Sequence, residues 1–345
     1  MAFADRVVSA WYAPQATPLA LALAPLAGIF RVVVAARRSL YARGWLRTER
    51  LGVPVVVVGN LAAGGSGKTP LAIAIAEALA ARGWRPGFVS RGYGREGSEA
   101  RIVSSGDDPG RSGDEALLLA ATGFPVAVGA RRADAARLLL AQEPRCDVVV
   151  ADDGLQHYAL ARDVEIAAVD STRGFGNGRM IPSGPLREPA SRLDEVTAVV
   201  RLVDAGAWRA TGDARETLMA HEPLRWRNLA DPSRVENPSD FRPEAAWAIA
   251  GTANPARFFA LVAALGIGAT TRAFPDHHRF VAADLDLPDA RAILMTAKDA
   301  VKCARFADPR CWALDIRARI DPALVDRIEE ILRWTRSSLT SSSAR

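Results

Sequence analysis

Runs of apolar, mostly β-branched residues alternate with helical stretches along the chain after residue 50. The first part of the chain contains five such runs, at 53–58, 87–90, 147–151, 164–169 and 198–203. Helical stretches separate them, for example at 69–83 and 131–142. Strands that are apolar throughout are buried on both faces, which is typical of a parallel sheet covered by helices. The pattern therefore predicts a large α/β lobe built on a parallel sheet.

A second, smaller α/β lobe is predicted towards the C-terminus. Residues 204–245 contain few long apolar runs and several X-Pro pairs, which favours a connector with short strands near 223–230. Strand and helix patterns then resume, with strands at 246–252, 269–274, 292–296 and 311–316 and helices at 255–266 and 321–336. The polar tail is predicted to be disordered.

These patterns divide the chain into five segments. They are an N-terminal membrane-interface helical segment (1–45), a first α/β lobe (46–215), a linker (216–245), a C-terminal α/β lobe (246–336) and a disordered tail (337–345).

The N-terminal segment combines an apolar run with a cluster of arginines. The run from Val7 to Phe30 is interrupted by prolines, so it is marginal as a membrane-spanning helix. Seven arginines against Asp5 and Glu49 give residues 1–50 a net charge of +5, which equals the net charge of the whole chain. Aromatic residues lie among the arginines, as they do at a bilayer interface. These features favour an interfacial helix on an anionic membrane, with a helix packed on the protein or a true span as alternatives.

Charge and cysteine usage exclude other classes of protein. Because the body of the chain is close to neutral, no nucleic-acid-binding face is expected on it. The three cysteines are Cys146, Cys303 and Cys311, and none lies at a C-x-x-C spacing. We therefore expect reduced thiols, with neither a disulfide framework nor a zinc site.

The stretch 55-VVVVGNLAAGGSGKTP-70 is a predicted strand followed by a glycine-rich turn and a helix start. It matches the end of the P-loop pattern G-x-x-x-x-G-K-[ST], whereas Ala62 replaces the first glycine. In such a loop, backbone N–H groups and the helix N-terminus bind phosphate oxygens. Lys68 is expected to reach the β- and γ-phosphates and Thr69 to bind Mg²⁺. The alternative is an ordinary glycine-rich turn; the predicted nucleotide-binding residues are Gly64, Gly65, Ser66, Gly67, Lys68 and Thr69.

Two adjacent carboxylates follow a later apolar strand. Asp152 and Asp153 come at the end of 146-CDVVVADDGLQH-157. P-loop enzymes place an acidic residue at the end of a second strand, near the metal. The pair is therefore a candidate for binding Mg²⁺ or its waters, with a plain surface turn as the alternative.

Other polar pairs are ambiguous from the sequence. Asp114 and Glu115 open a predicted helix, where acidic residues often serve as caps. His277 and His278 follow a strand of the second lobe, and two histidines with no third ligand at a useful spacing are poor evidence for a metal. From the residues alone, both pairs are as compatible with a structural role as with catalysis.

Eight segments in this order resemble the tetraacyldisaccharide 4′-kinase family, the lipid A 4′-kinases of Gram-negative bacteria. They are 59-GNLAAGGSGKTP-70, 89-VSRGYGR-95, 113-GDE-115, 152-DDGLQH-157, 176-GNGRMIPSGPLREP-189, 251-GTANPARFF-259, 274-FPDHHRF-280 and 296-TAKDAVK-302. The resemblance implies phosphorylation of the 4′-hydroxyl of a tetraacylated glucosamine disaccharide 1-phosphate, with ATP and Mg²⁺. It also implies a P-loop NTPase-like lobe and a smaller α/β lobe, a short β linker and an active site between the lobes.

The resemblance assigns catalytic roles that the residues alone leave open. Asp114 is similar to the residue that receives or orients the proton of the acceptor hydroxyl, and His277 to the histidine that pairs with it. Lys68 resembles the lysine that neutralises charge on the phosphates. The loop 90–95 is expected near the phosphates or the acceptor sugar, and closure of the lobes is expected to complete the Asp–His pair.

The resemblance also implies the ligand-binding residues. The acids around Mg²⁺ and the phosphates are Glu115, Asp152 and Asp153, with Thr69 as a further metal ligand. Arg187 and Glu188 match the Arg-Glu of the family's P-L-R-E-P and are expected to face nucleotide or substrate. By this resemblance we expect the protein at the cytoplasmic face of the inner membrane, where the acyl chains of its lipid substrate lie. We also expect a monomer.

Two other functions remain open on the sequence. A soluble P-loop kinase or ligase for a small metabolite fits residues 55–170 but leaves the basic N-terminal segment without a role. A partitioning-type ATPase, which transfers phosphate only to water, often has a second lysine in its phosphate loop, and none precedes Gly67 in this one.

Overall fold

A computed structural model of the protein describes residues 3–343, and within these residues thirteen strands form one sheet. The strands are β1 (Val55–Gly59), β2 (Pro86–Ser90), β3 (Arg101–Val103), β4 (Val126–Val128), β5 (Val148–Asp152), β6 (Val164–Asp170), β7 (Ala198–Val203), β8 (Glu216–Asn228), β9 (Val235–Glu236), β10 (Ala246–Ala250), β11 (Ala269–Ala273), β12 (Ala292–Thr296) and β13 (Cys311–Ile320).

Helices cover this sheet on both faces. They are α1 (Phe3–Trp11), α2 (Pro18–Ala22), α3 (Ala24–Ala42), α4 (Lys68–Ala81), α5 (Pro109–Ser112), α6 (Asp114–Ala120), α7 (Arg132–Gln142), α8 (Pro255–Ala264), α9 (Ala297–Cys303) and α10 (Pro322–Ser343). Short 3₁₀ turns lie at Ala190–Glu195, Ala205–Ala207 and Ala282–Leu285.

The N-terminal half of the sheet has the strand order β3-β4-β2-β5-β1-β6-β7-β8. All neighbours are parallel except β3, which runs antiparallel to β4. The valines of β1 are buried on both faces, because α4 covers one face and α7 with part of α3 covers the other. The predicted parallel sheet between two helical layers is confirmed.

The C-terminal half continues the same sheet through an antiparallel ribbon of β8 and β13. The start of β8 pairs with β7, and the start of β13 pairs with β12, which is followed by β10 and β11. Since β13 runs antiparallel to β8, these pairings lie at opposite ends of the ribbon. The parallel strands of the two halves therefore direct their carboxyl ends at each other across a cleft, and such ends are where α/β sheets bind ligands.

The structure differs from the predicted segments in the linker. The sequence predicts a linker at 216–245 with short strands near 223–230, whereas β8 is a single strand of 13 residues, Glu216–Asn228. Its Pro223 lies opposite Ile316, where the β8–β13 register shifts. A proline in a strand is tolerated at such an irregularity. The Asp-Pro, Asn-Pro and Arg-Pro pairs that favour a connector in the sequence all lie after the end of β8.

The last helix differs as well. The sequence groups it with the C-terminal lobe, yet α10 packs against α4 of the N-terminal half through Leu324, Ile328 and Leu332, which are fully buried. The helix also continues through Ser343, where a disordered tail is predicted from residue 337. The hydroxyls of Ser337, Ser338 and Ser341 each donate to a backbone carbonyl within the helix, that of Ser337 to Arg333 at 3.1 Å. Residues 344–345 lie outside the described part of the chain.

The N-terminal residues form three short helices separated at the prolines. Pro18 is the first residue of α2, and Pro25 lies in the first turn of α3, where a missing N–H is tolerated. Helix α3 packs Phe30 and Val34 against the N-terminal half, and it exposes other apolar side chains to solvent. None of the helices within residues 3–343 combines the length and the hydropathy that crossing a membrane requires.

Candidate active site

The phosphate loop joins β1 to α4 at the carboxyl end of the central strand. Gly67 has φ +77° and forms the N-cap of α4, and Gly64 has φ +118°. Both are conformations that favour glycine. Ala62 lies beside Leu186 in an antiparallel bridge, and its φ is not positive. The position where the motif has its first glycine is therefore extended backbone here, and alanine is accepted.

Gly67 has no room for a side chain. A Cβ atom there would lie 2.8 Å from Met219 Cε and 3.1 Å from Leu202 Cδ2. We expect Gly67→Ala to lower the free energy of unfolding by about 1–3 kcal/mol and to weaken nucleotide binding at least about tenfold, since the backbone must leave its left-handed conformation. Denaturant titration and calorimetry measure the two effects.

The matched control is Gly65→Ala in the same loop. Its φ is not in the positive region, and its Cβ would only contact Ala253 Cβ at 3.5 Å, an ordinary distance. If Gly65→Ala lost as much stability as Gly67→Ala, the strain at Gly67 would not be the cause.

Lys68 lies among carboxylates at the start of α4. It is buried, and its Nζ is 3.8 Å from Glu115 Oε1. Burial alone would lower the pKa of Lys68, but the charges of Glu115, Asp153 and Asp152 raise it above its usual value. Lys68 is therefore a charged ammonium that lies beside Glu115.

Thr69 and Asp152 form a buried pair next to Lys68. The Thr69 hydroxyl donates a hydrogen bond of 2.8 Å to Asp152 Oδ2, whereas Asp152 Oδ1 is buried without a partner. Burial and the charge of Glu115 raise the pKa of Asp152. A buried carboxylate with one unsatisfied oxygen requires a proton or a cation, so this pair is a suitable place for a metal ion.

Asp153 points to a different set of partners. It has φ +51°, and Oδ1 is 2.9 Å from Arg187 Nη1. Arg132 donates a hydrogen bond of 3.0 Å to its carbonyl. Burial would raise the pKa of Asp153, but Lys68, Arg187 and Arg132 hold it below its usual value. The structure thus brings Arg187 to Asp153 at the end of β5.

The oxygen donors fit Mg²⁺. Thr69, Asp152 and Asp153 supply a hydroxyl and carboxylates, and magnesium is usually held by one or two carboxylates together with substrate phosphates and waters. Among residues 3–343, no group of three or more His, Cys, Asp or Glu side chains is arranged to hold a metal without such help. Thr69, Asp152 and Asp153 are therefore suited to hold Mg²⁺ together with substrate phosphates and waters.

Asp114 and His277 meet across the cleft. Asp114 opens α6 in the N-terminal half, and its Oδ2 is 3.0 Å from Nδ1 of His277, which follows β11 in the C-terminal half. His277 has φ +58°, an uncommon backbone conformation for a residue other than glycine. The predicted pair is therefore already formed in the structure, whereas the sequence predicts that lobe closure completes it.

The charge of Asp114 is strongly favoured. Burial would raise its pKa, but the hydrogen bond with His277 and the charges of Lys298 and Lys302 lower it to about 2. Its Oδ1 accepts a hydrogen bond of 2.9 Å from the N–H of Glu115, and its Oδ2 faces His277. Asp114 is thus an ionised acceptor at neutral pH.

The structure separates the two histidines. His278 turns away from Asp114, and its Nε2 is 2.9 Å from Asp284 Oδ2. Its ring stacks on Phe274 at 4.6 Å between centroids. The ring of Tyr93, in the loop 90–95, lies 4.7 Å from that of His277. The loop 90–95 therefore lies at the Asp114–His277 pair, whereas His278 packs on the other side of the turn.

Glu188 lies elsewhere than predicted. It is buried, it accepts a hydrogen bond of 3.0 Å from Gln156 Nε2, and it pairs with the Tyr158 hydroxyl. Gln156 Nε2 also donates to the carbonyl of Asn60 at 3.1 Å, and Asn60 in turn donates to the carbonyl of Gly64 at 3.1 Å. Glu188 is thus linked to the phosphate loop through two other side chains and does not line it. A carboxylate that follows a phosphate-facing arginine in sequence projects from the other side of an extended backbone.

The N-terminal helices also support the loop. The Tyr12 hydroxyl donates a hydrogen bond of 3.1 Å to the carbonyl of Ala63, which is part of the loop itself. Two residues of α3 also contribute. Arg37 donates a hydrogen bond of 3.1 Å to the carbonyl of Gln156, and Arg38 Nε lies 3.7 Å from Glu188 Oε1. The N-terminal segment is therefore a structural support of the nucleotide site as well as a candidate membrane contact.

Sequence reasoning gave no role to Lys298 and Lys302 of α9. Lys298 Nζ is 3.2 Å from Glu115 Oε1, and Lys302 Nζ is 4.0 Å from Asp114 Oδ2. Burial would lower the pKa of Lys298, but Glu115, Asp114 and Asp276 raise it. Both lysines lie in α9, which begins directly after the apolar strand β12, and Lys298 is two residues past the end of that strand. A polar residue at the end of an apolar strand is also the signal that pointed to Asp152.

The chain is similar to known kinases over most of its length. A family model described as Tetraacyldisaccharide-1-P 4′-kinase matches residues 19–333. The tetraacyldisaccharide 4′-kinase of Azoarcus sp. (strain BH72) is 48% identical over 320 residues, covering 92% of this chain and 94% of the relative. The one of Chromobacterium violaceum is 45% identical over 324 residues, covering 92% and 95%. A crystal structure of LpxK from Aquifex aeolicus in complex with ATP has a TM-score of 0.75 and 27% identity, covering 91% of this chain and 99% of that one.

Proposed function

The chain belongs to the tetraacyldisaccharide-1-phosphate 4′-kinase family, and we propose that it transfers the γ-phosphoryl group of ATP to the 4′-hydroxyl of tetraacyldisaccharide 1-phosphate. The product is the 1,4′-bisphosphate of lipid A biosynthesis. One observation carries the proposal: the adjacent residues Asp114 and Glu115 face His277 of the opposite half and Lys68 of the phosphate loop, respectively. A phosphate-binding site and a site for an acceptor hydroxyl thus share one helix terminus.

The phosphate loop binds and orients the nucleotide. Backbone N–H groups of the loop and the N-terminus of α4 bind phosphate oxygens, and Lys68 neutralises charge on the β- and γ-phosphates. Thr69, Asp152 and Asp153 would hold Mg²⁺, and Arg187 lies beside Asp153 at 2.9 Å. Bound Mg²⁺ neutralises charge on the phosphate oxygens during transfer. These groups fix the γ-phosphorus for in-line attack.

Asp114 and His277 act on the acceptor. The Asp114 carboxylate accepts a hydrogen bond from the 4′-hydroxyl and takes its proton as the new P–O bond forms and the bond between the γ-phosphorus and the bridging oxygen of the ADP leaving group breaks. A carboxylate with a pKa of about 2 is a weak base, so its main contribution is orientation, with proton transfer late in the reaction. His277 is hydrogen-bonded to Oδ2 of Asp114 and so fixes the orientation of the carboxylate. Contact between the halves at this pair would restrict the access of water to the reacting phosphate and so limit ATP hydrolysis.

A phosphorylation assay tests the reaction. Purified protein is incubated with γ-labelled ATP, Mg²⁺ and the tetraacyl disaccharide 1-phosphate, and a lipid with one additional labelled phosphate is expected. Reactions without lipid and with a small sugar as acceptor are the controls. Equal release of labelled phosphate with and without the lipid would favour the ATPase alternative, and transfer to a soluble sugar but not to the lipid would favour a metabolite kinase.

We further propose that α3 lies on the cytoplasmic face of the inner membrane, with the protein as a monomer. The exposed apolar side chains of α3 include Leu26, Ile29, Val32 and Val33, which recur at helical spacing. Exposed arginines at positions 31, 43 and 47 lie along and beyond the same helix. An apolar face with basic neighbours is typical of a helix in the interface of an anionic bilayer. This arrangement holds the active site near a substrate whose acyl chains remain in the bilayer.

Vesicle binding tests the membrane proposal. We expect the double variant Val32→Asp, Val33→Asp to bind vesicles of phosphatidylethanolamine and phosphatidylglycerol at least about tenfold more weakly than the wild type, because two apolar contacts are lost and two negative charges are added. Co-sedimentation measures this. Val235→Asp, at a similarly exposed valine of β9, is the control and should bind normally. Equal binding by all three proteins would contradict the proposal.

A further inference from the structure

The chain contains only three lysines, and all of them lie at the proposed active site. The sequence has 44 basic residues of the Lys and Arg type, of which only Lys68, Lys298 and Lys302 are lysine. Each has its Nζ within 4.0 Å of Asp114 or Glu115. Elsewhere the chain uses arginine for every such charge. Because lysine provides a compact point charge that arginine does not reproduce, this distribution indicates that an ammonium group is required at these positions.

Lys68 and Lys298 approach the same carboxylate oxygen from opposite halves of the protein. Glu115 Oε1 is 3.8 Å from Nζ of Lys68 and 3.2 Å from Nζ of Lys298. The sum of those distances sets an upper limit of about 7 Å on the separation of the two ammonium nitrogens. A phosphoryl group can bridge such a gap, because two of its oxygens can each lie about 2.8 Å from one of the nitrogens. In the structure the Glu115 carboxylate occupies this position between two lysines, where an anion is favoured.

The position of Lys298 is fixed by the start of α9. Thr296 caps the helix by accepting a hydrogen bond of 3.1 Å from the N–H of Asp299. Asp299 is fully buried, and it accepts a further bond of 3.0 Å from the N–H of Gly251, after β10. Lys298 itself is only 18% exposed, and it lies 3.9 Å from Asp114 Oδ2. The charge of Lys298 is thus held between the phosphate loop and Asp114, the carboxylate proposed to bind the 4′-hydroxyl.

We propose that Lys298 is a second phosphate-binding lysine, supplied by the C-terminal half, that contacts the γ-phosphoryl group during its transfer. Glu115 holds the ammonium group in place until the nucleotide arrives, and the γ-phosphate then replaces the carboxylate between Lys68 and Lys298. The added charge stabilises the equatorial oxygens of the transferring group, as a positive side chain from a second domain does in other phosphoryl transferases. The inference rests on the proposed kinase reaction and adds a residue to it.

Nucleotide binding separates this role from a purely structural one. Calorimetry in the presence of Mg²⁺ compares a non-hydrolysable ATP analogue with ADP for the wild type and for Lys298→Met. Because ADP lacks the γ-phosphate, we expect the ratio of the analogue Kd to the ADP Kd to rise at least about tenfold in the variant, and kcat for the lipid to fall by about 10²–10³-fold. If the ratio did not change, or if kcat stayed at the wild-type value, Lys298 would not contact the γ-phosphate.

The matched control is an ion pair that joins the same parts of the two halves away from the site. Arg305 Nη1, just after α9, is 3.0 Å from Asp108 Oδ2, and both side chains are exposed. Arg305→Met should leave the Kd ratio and kcat unchanged. Should Arg305→Met raise the ratio as much as Lys298→Met, the effect would come from joining the halves and the inference would be wrong.

Two further measurements keep the test decisive. Lys298→Gln retains a hydrogen-bond donor for Glu115 and provides the same comparison if Lys298→Met does not fold. In protein labelled with ¹³C at lysine Cε, we expect the Lys298 signal, identified by its loss in the variant, to shift with the analogue and not with ADP. A wild type that never phosphorylates the lipid but shows these shifts would refute the proposed substrate and leave the inference about the γ-phosphate standing.

Discussion

Lys68→Ala is expected to reduce kcat for the lipid kinase reaction by at least about 10²–10³-fold, the value of one well-placed charge in a site that excludes water. Lys68 is buried at the start of α4, and its charge is favoured by Glu115, Asp153 and Asp152. Without it, the transferring phosphoryl group loses its nearest fixed cation in the N-terminal half. The measurement is single-turnover transfer from labelled ATP at saturating lipid.

Arg82→Ala is the control for this prediction. Arg82 is at the other end of α4, where it forms a salt bridge of 2.9 Å with Glu329 of α10. Its loss should change the stability slightly and leave kcat intact, since exposed ion pairs contribute little. A Lys68→Ala protein that unfolds like the wild type and turns over at the wild-type rate would show that the loop does not bind the reacting phosphates.

Asp114→Ala and His277→Ala are each expected to lower kcat by about 10²–10⁴-fold, the usual contribution of an acid–base group. The double variant should be little slower than the slower single variant. The two side chains share one contact of 3.0 Å, so that removal of either one already disables the pair. Rates measured for all four proteins complete the double-mutant cycle.

His278→Ala provides the matched control for the pair. His278 is adjacent to His277 in the sequence, but it packs on Phe274 and pairs with Asp284. Its loss should therefore lower the melting temperature and leave kcat nearly unchanged. Losses that multiply across Asp114 and His277 would indicate two independent roles and contradict the proposed pair.

The sequence predicted the elements whose signals are local. The apolar valine run of β1 and the Gly-Lys-Thr turn after it specify a buried strand, a phosphate loop and a helix start without reference to the rest of the chain. The resemblance to the 4′-kinase family, which rests on eight ordered segments, is confirmed by the family comparison. The roles of the individual site residues stay predictions, which the variants above test.

What the sequence missed depends on partners that are distant in the chain. Strand β8 is stabilised by β7 on one side and by β13 on the other, and neither is visible in its own proline-containing pattern. Strands β3 and β4 have three residues each, too few for a periodic signal. Lys298 has significance only because α9 places it beside Glu115, and these residues are 183 positions apart.

Glu188 is a residue to which the sequence motif assigned a ligand contact that its place in the structure does not support. Its place after Arg187 in a family motif suggested a ligand contact, but consecutive residues on an extended chain point to opposite sides. Arg187 reaches Asp153, whereas Glu188 is buried against Gln156 and Tyr158. A motif identifies a segment, and the backbone conformation decides which of its side chains face the site.

The hydrogen bond from Tyr12 to the carbonyl of Ala63 determines how the membrane proposal can be tested. Truncation of residues 1–45 is the obvious way to release a peripheral protein from the bilayer, but it would also remove Tyr12, Arg37 and Arg38 from behind the nucleotide. A shortened chain that is released and inactive would therefore not separate the loss of an anchor from damage to the catalyst. Substitutions on the outer surface of α3, such as Val32→Asp with Val33→Asp, leave those inner contacts in place, so they test the membrane proposal more cleanly.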